Sequence, residues 1–149
     1  MRVAVAADHA GYDLKTTMAA YLKASGHEVV DLSPNPPQPD DDYPDSSEAI
    51  GLAVRNGAAE RGVLICGSGV GASVAANKVR GIRAGLCHDH YSAHQGVEHD
   101  NMNVLVLGAR IIGVETAKDL ATAFLAATFS GEARHVRRLG KIKAIEDRF

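Results

Sequence analysis

Short apolar runs rich in β-branched residues alternate with longer amphipathic stretches along the whole chain, and this alternation restricts the fold more than any other feature. Arg2–Ala7, Glu28–Leu32, Gly62–Cys66, Ile82–Leu86 and Asn103–Leu107 read as strands. Tyr12–Ser25, a stretch from Asp45 to about Ala59, Gly71–Lys78, His90–Glu98 and Val114–Phe129 read as the helices between and after them. Tyr12–Ser25 carries Leu14, Met18, Tyr21 and Leu22 at helical spacing and ends at Gly26. Val114–Phe129 repeats the pattern with Ala117, Leu120, Ala121, Phe124 and Leu125. Asp45 is placed to cap the second helix, and the tail from Glu132 to Phe149 reads as one more helix, locally basic. Strands that are apolar throughout, each followed by a helix, predict a parallel sheet covered on both faces. The 149 residues fit one domain.

In such a sheet ligands sit beyond the carboxyl ends of the strands, so chemistry is sought just after each one. Several classes are excluded early. A formal charge of -2 gives no bias toward nucleic acid or anionic membrane, and without tryptophan a base-stacking surface is not expected. No apolar run reaches membrane-spanning length. Only Cys66 and Cys87 are present, with no C-x-x-C spacing, which speaks against a disulfide framework. The N-terminus meets Asp8 too early for a secretory signal, so a reducing cytoplasm is the expectation. All five prolines fall between Pro34 and Pro44, marking a loop of a length that is often functional. Within it, Asp40-Asp41-Asp42 reads as a solvated face.

The third strand runs into Cys66-Gly67-Ser68-Gly69-Val70-Gly71 and then into a helix. Glycines let the backbone approach a ligand, and a helix N-terminus directs free N–H groups at negative charge. An anion, or an oxyanion formed during a reaction, is the natural guest. Cys66 stands at the mouth of this loop, where N–H donors favour a thiolate. It reads as a nucleophile if a histidine base is near, as a proton shuttle if it lies over a substrate carbon, or as a small buried hydrophobe. Cys87 has no such loop and reads as structural. A rival reading is a nucleotide-binding module: Gly67-x-Gly69-x-x-Ala72 meets a dinucleotide fingerprint, with Asp89 where a ribose-binding acid belongs. It follows the third strand rather than the first.

Asp8 and His9 follow the first strand and are expected in the same crevice as Cys66. His88, His90, His94 and His99 cluster in sequence, with His90 and His94 on one helical face, but no acidic third ligand has zinc spacing. His99, just before the fifth strand, is an acid–base candidate if it approaches the crevice. Arg110 follows the fifth strand, and Arg134 and Arg138 share a face of the last helix; guanidinium forks suit phosphate dianions.

Together these residues resemble the type B ribose-5-phosphate isomerase family, which also contains galactose-6-phosphate isomerase subunits. The likeness runs nearly end to end. Its carriers are Asp8-His9-Ala10-Gly11, Asp42-Tyr43-Pro44, the Cys66–Gly71 loop, Ala75-Ala76-Asn77-Lys78, Gly81-Ile82-Arg83-Ala84, His99, Asn103-Val104-Leu105, Gly108-Ala109-Arg110 and the arginine tail. The resemblance implies a Rossmann-like three-layer α/β/α sandwich with a five-stranded parallel sheet. It implies a homodimer, with a tetramer as the larger alternative, active sites at the interface, and the basic helix of about 132–149 packed on the partner subunit. It implies a small phosphorylated sugar as substrate, with no cofactor, metal, nucleic acid or membrane.

Carried over by position, Cys66 is the base that moves a proton between C1 and C2, and Gly67, Ser68, Gly69, Val70 and Gly71 supply N–H groups to the enediolate oxygen. His99 opens the furanose ring, Asp8 and His9 contact the sugar, and Arg110, Arg134 and Arg138 hold the phosphate, some from the partner subunit. Two positions refine the likeness. One branch of the family replaces the cysteine with a Glu just after the last loop glycine; here that residue is Ala72. The family usually has Asn after the ring-opening His, and here Asp100 stands there with Asn101 next. An ionised Asp accepts but does not donate. Either Asn101 takes the role or Asp100 accepts from a substrate hydroxyl, which leaves four-carbon and six-carbon sugar phosphates open beside ribose 5-phosphate.

Overall fold

The computed structural model describes all 149 residues. Its elements run β1 (Arg2–Ala7), α1 (Tyr12–Ala24), β2 (Glu28–Asp31), α2 (Tyr43–Arg55), β3 (Arg61–Cys66), α3 (Val70–Ala76), β4 (Ala84–Leu86), α4 (His90–Asp100), β5 (Val104–Gly108), α5 (Val114–Ala126) and α6 (Ala133–Arg148). The five strands form one sheet in the order β2-β1-β3-β5-β4. Every pairing is parallel.

Strand alternation divides the core. Val3, Val5, Val63, Ile65, Leu105 and Leu107 point to one face, where α1, α4 and α5 cover them. Ala4, Ala6, Leu64, Cys66, Val104 and Val106 point to the other, under α2 and α3. Because both faces are dry, the central strands β1, β3 and β5 are apolar at successive positions beyond the opening Arg2 and Arg61, rather than at alternate ones. Fully burying each of the larger side chains contributes about 1.5–3 kcal/mol. The result is the expected α/β/α sandwich.

Two boundaries differ from the sequence reading. α2 begins at Tyr43, not Asp45; Asp42 occupies its N-cap with no side-chain bond, and Pro44 sits in the first turn. Proline is tolerated there because the first helical N–H groups have no intrahelical partner. β4 is three residues, not five. Ile82 is buried as a strand residue would be, but its N–H closes a turn onto the Val79 carbonyl at 3.1 Å, so it serves the core without joining the ladder.

β1 leads outward to β2, and the chain then crosses to β3 on the other side of β1. Crossovers therefore diverge between β1 and β3, the place where sheets of this kind form a ligand crevice at the carboxyl ends of the strands.

Candidate active site

The crevice is assembled from the residues just after β1, β3 and β5. Beyond Cys66 the ladder continues for two residues: Ala109 N–H donates to the Cys66 carbonyl at 2.8 Å and Arg110 N–H to the Gly67 carbonyl at 3.0 Å. This brings the Arg110 side chain over the glycine loop, where a Cβ on Gly67 would lie 3.6 Å from the guanidinium carbon. Cys66 is the last residue of β3 and is 7% exposed.

The glycine loop has two separate reasons for its composition. Gly69 has φ +84, a left-handed conformation strained for any side chain, and N-caps α3. Gly71 permits a close approach, since a Cβ there would lie 2.6 Å from the Tyr43 ring. The N–H groups of Gly67, Ser68 and Gly69 make no hydrogen bond within the chain. Val70 N–H is instead directed at Ser68 Oγ, 3.3 Å away. The expected row of donors is thus interrupted at Val70, where the serine hydroxyl competes locally.

Asp8 is buried and accepts the Gly11 N–H on Oδ1 at 3.0 Å. That bond closes the turn into α1, and Oδ2 makes no bond within the chain. His9 is held by Asp41, whose Oδ1 accepts both the His9 backbone N–H at 3.0 Å and the Nδ1–H at 2.7 Å. The bond to Asp41 raises the His9 pKa, the carboxylate of Asp8 adds to the rise, and partial burial and Arg110 oppose it. Nδ1 is thereby committed, and Nε2 is the nitrogen left open. Asp41 is therefore not the plain solvated residue expected of the proline loop. That loop brings Asp41 onto His9, and Tyr43, the first residue of α2, lies against Gly71.

Since Asp41 favours the charged imidazolium, His9 keeps its charge to a higher pH than an unpaired histidine. Asp41→Asn is expected to lower the His9 midpoint in an NMR titration of the ring protons. The KM for a phosphorylated substrate then begins to rise at lower pH than in the unmodified protein, with kcat little changed. An unmoved midpoint would remove Asp41 from this role.

Other residues singled out in the sequence have local duties. His88 accepts the Gly108 N–H on Nε2 at 2.9 Å and so pins the end of β5 beside Cys66. His90 pairs with Asp119 and His94 with Glu98, on separate surface patches. Asp89 caps α4, accepting the Ser92 N–H on Oδ1 at 2.7 Å. Burial drives the Cys87 thiol up to about 11, with a smaller contribution from Asp89.

The second group of expected residues lies elsewhere. α4 runs antiparallel to the strands, so its last residues return to the amino edge of the sheet. His99 and Asp100 end α4 just before β5 begins, whereas Cys66 is level with Gly108 at the far end of β5. The length of β5, about 13 Å at 3.3 Å per residue, separates the two levels. His99 therefore does not approach the crevice of its own chain. Its ring stacks on His135 of α6, centroids 4.0 Å apart. Arg134, next to His135, donates to it at 3.2 Å, and Arg138 follows one helical turn on. Asn101 ends the helix with φ 48, its carbonyl accepting from Arg83 Nε at 2.7 Å.

One chain thus carries its candidate site residues in two groups on opposite edges. The carboxyl edge carries Asp8, His9, Cys66, the glycine loop and Arg110. The amino edge carries His99, Asp100, Asn101, Arg134 and Arg138. A groove of about 820 Å³ opens along β4, lined by Ile82, Gly85, Met102, Ile142, Ile145 and Phe149 among others, and it reaches the amino-edge group at Asp100.

Comparison with known proteins accounts for the fold and gives the family. The model of the ribose/galactose isomerase family matches residues 3–142. Ribose-5-phosphate isomerase B of Escherichia coli is 42% identical over 147 residues, covering 99% of this chain and 97% of that one. D-erythrulose-4-phosphate isomerase of Pectobacterium atrosepticum is also 42% identical, over 94% of this chain and 93% of its own. The structure of Clostridium thermocellum ribose-5-phosphate isomerase B superposes with a TM-score of 0.95 at 42% identity, covering 99% of each chain. That of the Mycoplasma genitalium enzyme with bound ribulose-5-phosphate gives 0.92 at 39%, covering 99% of this chain and 97% of that one. The molecule is an aldose–ketose isomerase of sugar phosphates. It belongs to the ribose/galactose isomerase family.

Proposed function

We propose that this enzyme interconverts ribose 5-phosphate and ribulose 5-phosphate, and that it does so as a homodimer in the cytoplasm. The observation that carries the chemistry is the juxtaposition of Cys66 with the unbonded N–H groups of Gly67, Ser68 and Gly69 in a crevice that also holds His9 and Arg110. Removing a proton beside a carbonyl needs a base near the carbon and fixed dipoles at the oxygen that becomes negative. Each such donor is worth about 3–4 kcal/mol in comparable sites. Cys66 shuttles the proton between C1 and C2, the loop donors hold the enediolate oxygen, and the cations hold the phosphate.

Ring opening precedes this step when the sugar arrives as a furanose. The bond between C1 and the ring oxygen breaks, its electron pair staying on that oxygen, which takes a proton from protonated His99. The anomeric hydroxyl passes its proton to Asp8 as the carbonyl forms. His99 belongs to the partner subunit's half-site, together with Arg134 and Arg138, since one chain separates them from Cys66. The helix over about 132–149 packs on the partner: Val136, Ile142, Ile145 and Phe149 of this segment are exposed apolar residues on the single chain. The large groove along β4 is the natural seat for such a contact. Both cysteines are unpaired, in keeping with a reducing compartment.

A four-carbon substrate is the second reading, favoured by the equal identity to the erythrulose-4-phosphate enzyme and by Asp100. α4 ends in register at Asp100, and the next residue is fixed as the left-handed cap through its carbonyl. Asp100, not Asn101, therefore keeps the place after His99 and acts as an acceptor for a substrate hydroxyl. Initial rates on four-, five- and six-carbon aldose and ketose phosphates test both readings. The five-carbon pair is expected to be fastest, and Asp100→Asn is expected to reorder the panel. A fastest four-carbon pair would replace ribose 5-phosphate as substrate, and an unchanged order in Asp100→Asn would remove Asp100 as a specificity element.

A further inference from the structure

His99 is held on two sides by residues that neither ring opening nor carbon proton transfer uses directly. On its own helix, Gln95 lies one turn back, and its side-chain amide sits 2.8 Å from His99 Nδ1. From the last helix, His135 stacks on the ring at 4.0 Å with the planes 28° apart.

His135 is itself tightly fixed. It is 1% exposed. Arg134 Nε–H can only donate, so the His135 Nε2 that receives it at 3.2 Å carries a lone pair. The ring proton then resides on Nδ1, which donates to Ser130 Oγ at 2.7 Å. Ser130 is anchored in turn, its N–H donating to the Glu98 carbonyl at 3.0 Å and its Oγ receiving the Glu132 N–H at 3.3 Å. Upstream, Arg61 donates to the carbonyls of Phe124 and Ala127, tying the end of α5 to the start of β3. The turn that carries Ser130 is therefore attached to the sheet. With both nitrogens committed, His135 neither rotates nor takes up a proton without losing the Arg134 bond. Burial, the His99 charge and Arg134 all hold its pKa below the ordinary histidine value, against a smaller opposing pull from Glu132.

We propose that Gln95 and His135 are positioning residues for His99, clamping its ring so that Nε2 is the one nitrogen free to deliver a proton to a cyclic sugar. The proposal rests on the isomerase reading and on His99 as its ring-opening acid. Gln95 suits the task because its amide, turned to present Oε1, accepts from Nδ1–H and keeps that proton in place while the His99 Nε2 gives up its own; turned the other way it donates to the bare Nδ1 of the resting neutral ring. His135 suits it because a neutral flat ring supports the imidazole plane without competing for its proton. Such orienting contacts on the far side of a reacting group act through geometry, where small displacements have large kinetic effects.

The discriminating experiment separates ring opening from carbon proton transfer. Ribulose 5-phosphate has its terminal oxygen esterified and cannot close a furanose, so solvent-deuterium exchange into this ketose requires the Cys66 chemistry but no opening. Turnover of ribose 5-phosphate requires both. Gln95→Leu and His135→Leu are expected to lower kcat on ribose 5-phosphate by about 10- to 100-fold with KM within about twofold, while the exchange rate stays within about twofold. His135→Phe, which restores a flat ring, is expected to recover a large part of the loss. Parallel loss of turnover and exchange in Gln95→Leu would assign the pair a merely structural role, and unchanged turnover in it would remove any role; either overturns the proposal. Should His135→Leu fail to fold, Gln95→Leu on the half-buried face of α4 decides alone. His99→Asn run alongside distinguishes the deeper failure: if its turnover of ribose 5-phosphate is unimpaired, His99 is not the acid and the underlying reading falls with the proposal. Absence of any exchange by the unmodified protein would instead refute the isomerase assignment for this substrate.

Discussion

Cys66→Ala is expected to lower kcat by about a thousandfold while leaving the dissociation constant for the sugar phosphate within about threefold, the range a positioned general base supplies. The separation comes from the crevice. In the proposed site His9, Arg110 and the loop N–H groups hold the substrate, and none of them depends on the thiol. Proton removal from carbon is assigned to the thiol alone on this proposal, because Ala72 leaves no carboxylate on the loop to substitute. Calorimetric titration with the ketose phosphate and an initial-rate assay measure the two quantities. A loss of only a few-fold in kcat would take the base role from Cys66. Equal losses in binding and rate would mean that the loop, and not only the thiol, had been disturbed.

Cys87→Ala is the control for this experiment, and its physics differs at every point. Cys87 packs on the opposite face of the sheet from Cys66, with its Sγ 4.0 Å from Met102 Sδ. Burial pushes its thiol up to about 11, so it stays protonated at neutral pH and is a packing group. Its replacement is expected to leave kcat unaltered at a modest cost in stability.

The contrast between the two cysteines is legible in the sequence because it depends on the residues immediately after each strand. The same is true of the sheet: continuous apolar strands alternating with helices leave few topologies, and the glycine loop marks its carboxyl edge. Asp41 is not legible. Its neighbours Asp40 and Asp42 have the same composition, and only the path of the proline loop brings one of the three onto His9. Gln95 and His135 are hidden for a related reason. A glutamine on a polar helix face and a histidine in a basic tail look solvated until α6 is laid against α4. His99 misleads differently. Its position before β5 is plain in the sequence, but the direction of α4 places that position on the amino edge, away from Cys66. Local periodicity reports which side of a helix is apolar, whereas reach across a sheet is set by the sense of the connection.

That separation makes the second large prediction, a test of whether two chains build each site. Cys66→Ala and His99→Asn chains are each expected to be nearly inactive alone. In a two-fold dimer whose sites take Cys66 from one chain and His99 from the other, a mixed dimer has one site with both defects and one with neither. Random assortment puts half the chains in mixed dimers, so about a quarter of all sites are intact and activity returns to about 25% of the unmodified level. If each site instead drew both residues from a single chain, every site in the mixture would keep one defect and mixing would restore nothing. The two parent proteins are combined, exchange is verified by native mass spectrometry, and initial rates are compared with the unmixed parents. A rise of at least about tenfold over either parent is expected. Verified mixed dimers without that rise would break the link between His99 and Cys66, and with it the assignment of Arg134 and Arg138 to the phosphate, because the proposal brings all three to the crevice by the same two-fold contact.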